Sequence, residues 1–274
     1  GGLAFVTGAV FRHVGSERGQ STIAELSSLM LVLTTTWTFC RLFSSIPCQH
    51  TWFKSIQVIF RQKRFSLTPV FVARTTVVMF CESGWCILAV CVCLPIAGLV
   101  GDLRLLCNIS LLLTSNNICY LSLGALLGTF SSVPYGMIAA TFFSQVSILA
   151  SGIFTELPPS IAWARYFSPF YWTVRGLVKT FYQSSDTYDC VNGSSSEIGS
   201  NQCFIEYDPL IEQYKRRGFH IATHGDAADL GNVVNESIAL AALSFGLQMI
   251  MFGRCFFTYY RLNWEEMKGR YRQQ

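Results

Sequence analysis

SGIFTELPPSIAWARYFSPFYWTVRGLVK, residues 151–179, joins a helix end, a proline turn and a dense aromatic run. It opens on the small pair Ser151 and Gly152, continues with two large apolar residues, Ile153 and Phe154, and turns at Pro158 and Pro159. An aromatic belt follows: Trp163, Tyr166, Phe167, Phe170, Tyr171 and Trp172. Trp and Tyr at this density, just past a membrane-length apolar run, fit a helix break at the bilayer interface. Pro169 has no amide proton and disfavours helix at Ser168, which works against one continuous helix. The stretch reads as a spanning helix that ends, turns, and lays short amphipathic helices back into the membrane surface.

Composition points the same way. Of 274 residues 51% are hydrophobic and only 13% are charged, about half the roughly 25% charged fraction of soluble domains. The net charge of +4 is modest and implies no nucleic-acid partner. Most of the cysteines, Cys40, Cys81, Cys86, Cys91, Cys93, Cys107, Cys119 and Cys255 among them, lie in or beside apolar runs. There a thiol behaves as a small hydrophobe. His13, His50, His220 and His224 are scattered over different loops, and no metal site is expected. No G-x-x-x-x-G-K-[ST] occurs; GSERGQST at 15–22 has the wrong spacing and lacks the lysine. The opening GGLAFVTGAVF begins inside an apolar run, which reads as a first helix that has lost its beginning.

Across the whole chain, the hydropathy pattern predicts an all-α, polytopic membrane protein with six spans, the first truncated. Gly1 to Phe11 is the tail of the first; the second runs from Ser21 to about Phe43, the third from Val70 to about Ala97, the fourth from Leu105 to Phe130, the fifth from Gly136 to Phe154, and the sixth from Ile238 to about Tyr260. Gly124 and Gly128 give the fourth the small-xxx-small spacing that lets helices approach closely. The segment 44–68 carries Lys54, Arg61, Lys63 and Arg64 with no acidic residue, and the tail after the sixth span is also basic. Four crossings separate these ends, so the positive-inside rule places both in the cytosol and the long 156–237 segment outside. In that outer segment Cys190 and Cys203 flank a short polar insert and read as a disulfide in an oxidising compartment. Asn192 opens a glycosylation sequon there.

The run Ser-Gly, two bulky residues, a Pro turn and W-x-x-Y-x-S-P-F resembles the end of the fifth helix and the re-entrant helices of the G subfamily (white/breast-cancer-resistance type) of ABC transporters, which have the type-2 exporter fold. The order of spans and loops matches that family across nearly the whole chain. A weaker match covers a short helix ending at Gly218 and an Asn, here Asn235, opening the last span. The resemblance implies that residues 1–274 are a transporter transmembrane domain, at the plasma membrane, working as a homo- or heterodimer. A separate nucleotide-binding domain would supply ATP and Mg; this chain would carry no cofactor and no catalytic site. Cargo would be lipids, sterols or hydrophobic small molecules, and the surrounding lipid is itself a partner.

By the same resemblance the substrate cavity falls on Trp37, Cys40 and Phe43 of the second helix and on Thr141, Ser144 and Ile148 of the fifth. The plug above it falls on Ile153 and Phe154. A short cytosolic coupling helix falls on Trp52, Phe53, Lys54, Arg61, Gln62, Lys63 and Arg64. Two departures stand out: Arg61-Gln62 replaces an Arg-Glu pair, and Arg175 stands where a Glu is usual. Glu82, inside the third span, is a functional candidate because an intramembrane carboxylate is costly; an interhelical hydrogen bond or an aqueous cavity would also explain it. Two other functions fit the residues. One is a structural or regulatory membrane protein derived from an exporter, consistent with Gln62. The other is an intramembrane enzyme, for which Glu82 is the one polar group in view.

Overall fold

A computed structural model describes residues 2–12, 20–61, 66–99, 103–154, 157–158, 160–183, 187–189, 202–204 and 230–271. The helices are α1 (Gly2–Val10), α2 (Gln20–Arg61), α3 (Leu67–Ile96), α4 (Leu103–Phe130), α5 (Val133–Ala150), α6 (Pro169–Gln183) and α7 (Leu230–Tyr271), with a 3-10 helix over Ala162–Phe167 ahead of α6. A small antiparallel hairpin pairs β1 (Thr187–Asp189) with β2 (Gln202–Phe204).

Five of these helices, α2, α3, α4, α5 and α7, are long and apolar enough to cross a membrane. The nine residues of α1 reach about 13 Å at 1.5 Å each, short of a hydrocarbon core. They pack beside α3, where a Cβ on Gly8 would lie 2.9 Å from the Cys93 carbonyl oxygen.

The largest difference from the expected layout is in α2. A span ending near Phe43 and a separate coupling helix were expected; instead one helix of 42 residues runs through both, about 63 Å long. Pro47 removes one backbone hydrogen bond, but Leu42, Ser45, Ile46 and Gln49 around it are buried, and tertiary packing holds the helix on both sides of the break. The fifth span was expected to open at Gly136; α5 instead opens at Val133, with Pro134 in its first turn, where the missing N–H costs nothing. The last helix extends the predicted sixth span at both ends.

Lipid tails are as apolar as leucine, so burying side chains gives little drive for helices to associate; close packing and interhelical hydrogen bonds hold them. α4 shows both. It is the hub, packed on α2, α3, α5, α6 and α7. A Cβ on Gly124 would collide with the Leu42 carbonyl oxygen, and one on Gly128 would lie 2.5 Å from that of Ile46, so both glycines seat the α4 backbone directly on α2. Around this contact Leu42, Ile46, Tyr120 and Ala140 form one apolar cluster. A larger one joins Met30, Val90, Leu112, Ile153, Phe170 and Leu177 at the end where α6 docks.

Candidate functional site

Two polar features cross this apolar bundle. The first lies in the middle. Arg41 of α2 forms an ion pair with the Glu82 carboxylate of α3, and the Arg41 guanidinium also stands 5.6 Å from the Trp37 ring centre. α4 braces both helices there: Asn116 Nδ2 donates to Thr38 Oγ1 at 3.2 Å and Asn117 Nδ2 to the Glu82 carbonyl at 3.5 Å. From α7, Gln248 Nε2 donates to Ser122 Oγ at 3.1 Å. The carboxylate singled out in the sequence is thus one half of an interhelical pair. Arg41 was missed because a span ending near Phe43 put it at the membrane edge; in the longer apolar run Glu25–Val58 it lies mid-helix, where a cation is as anomalous as an acid. Beside the pair opens a cleft of about 390 Å³ between α2, α3, α4 and α7, whose wall includes Cys48, Trp52, Arg74 and Met79.

The second feature is at the far end of α5. Gly152 adopts a left-handed φ of 76° and reverses the chain after Ser151. Ile153 turns inward and is 7% exposed, while Phe154 is 51% exposed. The aromatic belt follows as expected: Trp163, Tyr166 and Phe167 are exposed on the 3-10 helix, and Phe170 and Tyr171 are buried. Ser168 caps α6 by accepting from the Tyr171 amide at 3.3 Å, which leaves Pro169 in the first helical position. The same hydroxyl donates to the Ser147 carbonyl at 2.7 Å and so ties α6 to α5. Ser147 Oγ in turn lies 2.7 Å from the Tyr120 hydroxyl of α4. Residues Phe170, Tyr171, Val174, Leu177 and Val178 bury one face of α6, the spacing of an amphipathic helix.

Arg175 and Lys179 lie one turn apart on α6, and both reach Glu236 of α7. Lys179 Nζ is 2.7 Å and Arg175 Nε 3.2 Å from Glu236 Oε1, whose side chain is 2% exposed. Sequence reasoning marked Arg175 as a departure and passed over its two partners. The signal was available in the i, i+4 cations and in an acid opening the last apolar run.

The expected cavity residues are dispersed within the protomer. Trp37 packs against the cluster of Leu29, Leu33, Ala89 and Cys93, on the α1–α3 side. Phe43 packs at the edge of the α4–α5 cluster and stacks with Phe39 at 6.0 Å. Cys40 and Thr141 are exposed. Ser144 is fully buried, its hydroxyl bonded to the Thr141 carbonyl at 2.9 Å. Ile148 packs into the α4–α6 cluster. Of the coupling residues, Lys54 is exposed on α2 and Arg61 ends that helix; Gln62, Lys63 and Arg64 lie outside the described residues. In the 156–237 segment Cys203 pairs across the hairpin with Tyr188, and Cys190, Asn192 and the short helix expected before Gly218 lie outside the described residues.

No curated protein matches this chain. The family model described as "ABC-2 type transporter" matches residues 2–182, from α1 through α6. Those residues hold four of the five membrane-length helices and the re-entrant segment except the last residue of α6. This multi-pass integral membrane protein belongs to the ABC-2 type transporter family and is the transmembrane permease component of an ABC transporter.

Proposed function

We propose that the chain is the membrane half of an ATP-driven exporter of the G-subfamily type, moving lipids, sterols or hydrophobic small molecules across the plasma membrane as a dimer. The observation that carries this reading is the segment from Ser151 to Gln183. A reverse turn at Gly152, a 3-10 helix and the amphipathic α6 fold back against α4 and α7. This is the arrangement expected of the re-entrant helices after the fifth span.

In the protomer the α5 residues Ile138, Thr141, Phe142 and Phe143 are uncovered, as is Cys40 of α2. Two such faces brought together by a second protomer would enclose an apolar path, with Phe154 at its outer end. ATP with Mg would be handled by a separate nucleotide-binding domain, reached through the basic end of α2. That end and the membrane-crossing part belong to one helix, because α2 is continuous to Arg61.

The test is reconstitution of the complete transporter in proteoliposomes, with ATP-dependent movement of fluorescent lipid and sterol analogues as the readout. Movement with cargo-stimulated ATPase is expected. Intact ATP binding without movement of any cargo would favour the regulatory alternative, to which the Arg61-Gln62 departure already points.

A further inference from the structure

We propose that the cleft between α2, α3, α4 and α7 binds the anionic headgroup of a membrane amphiphile, a phosphate or carboxylate, at Arg74. This does not rest on the export path proposed above, which uses other faces of α2 and α5.

The charges along the cleft do not balance. Arg41, Arg74 and Glu82 all line it. Glu82 answers Arg41, and Arg74 has no carboxylate partner among the described residues. Its guanidinium lies 4.0 Å from the Trp52 ring centre, and Nη2 is 3.9 Å from Cys48 Sγ. Nη1 is buried with no hydrogen-bond partner. A cation–π contact offsets only part of the cost of a guanidinium inside a span. An arginine that merely snorkelled would put its free nitrogen in water; here Nη1 is sealed from water, and the guanidinium lines the cleft with its charge unanswered.

Position and shape select the ligand. Arg74 is seven residues past Leu67, about 10 Å along α3, on the basic side of the bundle. Basic pockets between helices at that side suit anionic lipid heads. The rim residues Ser44, Cys48, Val77 and Cys81 are exposed, so the cleft opens laterally. Phe71, Val78, Met79 and Leu121 make its wall apolar beyond the arginine. About 390 Å³ holds a headgroup and the start of an acyl chain, with the remainder left in the bilayer.

The experiment is native mass spectrometry of the full chain from mixed micelles of phosphatidylcholine and phosphatidylglycerol. The wild type should retain one phosphatidylglycerol per protomer with a preference of about tenfold, the scale of a charge-assisted hydrogen bond. Arg74→Gln should lose that preference, Arg74→Lys should keep part of it, and Val77→Trp should lose it by filling the rim while sparing the charge. Arg254→Gln, which removes a cation that is stacked on Phe130 and does not line the cleft, should change nothing. Competition then separates the sources: displacement by oleate assigns a carboxylate, displacement by inorganic phosphate assigns the head alone, and resistance to both assigns an intact phospholipid. Equal retention of both lipids by the wild type overturns the proposal. So does unchanged preference in folded Arg74→Gln, or an equal loss in Arg254→Gln. If Arg74→Gln does not fold, Val77→Trp decides, and an unchanged preference in that variant overturns it.

Discussion

Lys179 donates to Glu236 Oε1 at 2.7 Å, fastening the re-entrant α6 to the last spanning helix across 57 residues of sequence. Arg175 shares the same oxygen at 3.2 Å. Removing one partner of a buried pair costs more than the pair contributes, because the remaining charge stays buried and unanswered. Glu236→Gln strands both cations and should lower stability by about 3 kcal/mol. Lys179→Met should cost clearly less, since Arg175 still answers the carboxylate. Thermal unfolding in nanodiscs compares them, and equal losses would mean that the two cations do not share Glu236.

The α2–α4 contact makes a second prediction. Gly124→Ala and Gly128→Ala each push a methyl group into the α2 backbone, a cost of about 1–3 kcal/mol by overpacking. Gly246 and Gly253 on α7 have nothing within 4 Å of a Cβ. Alanine at either should be neutral, or stabilising by up to about 1 kcal/mol through helix propensity. Uniform effects at all four positions, in yield and melting temperature, would remove the close approach as the cause.

Five of the predicted spans and the broken aromatic segment were legible because hydropathy, Pro169 and the Trp/Tyr belt are local signals. What escaped was set by partners distant in sequence. Arg41 gains its meaning from Glu82, and Arg175 from Glu236, neither of which any spacing rule connects. The Glu usual near Arg175 is gone from α6, yet a carboxylate is still present, supplied by α7. The end of α2 was misplaced for another reason. The change from apolar to basic residues after Phe43 marks where a helix leaves the hydrocarbon, not where it stops, and Pro47 alone does not break a helix packed on both sides.

Orientation is checked with tags. The basic ends predict cytosolic tags at Ser66 and at the C-terminus and an exposed one at Ser195. Externally added protease should remove only the last in intact cells; protection of Ser195 would invert the topology. In the same loop, pairing of Cys190 with Cys203 would be worth about 3 kcal/mol by the chain-entropy model. Either Cys→Ala change should lower surface expression, and Asn192→Gln should remove a glycan seen as a mobility shift. Identical thiol labelling with and without reductant argues against the bridge.

The last prediction separates cargo contact from packing along α2. Trp37 and Phe43 were assigned to one cavity wall, but Trp37 packs on the cluster of Leu29, Leu33 and Cys93, and Phe43 packs on that of Leu42, Ile46, Tyr120 and Ala140 and stacks on Phe39. The six residue steps from one to the other turn the helix by about 240°, which is why the two rings do not share a face. Trp37→Ala therefore empties an intraprotomer contact and should reduce folded protein by about 3 kcal/mol of stability, whatever the cargo. Phe43 is only partly covered and lies nearer the uncovered side of α5. Phe43→Ala should leave expression close to wild type while weakening cargo stimulation of ATPase in the complete transporter. Phe154→Ala should keep basal ATPase and uncouple it from export. A loss of stimulation with Trp37→Ala at normal expression would return Trp37 to the cavity. Loss of folded protein with Phe43→Ala would make that ring a packing residue and move the cargo path elsewhere.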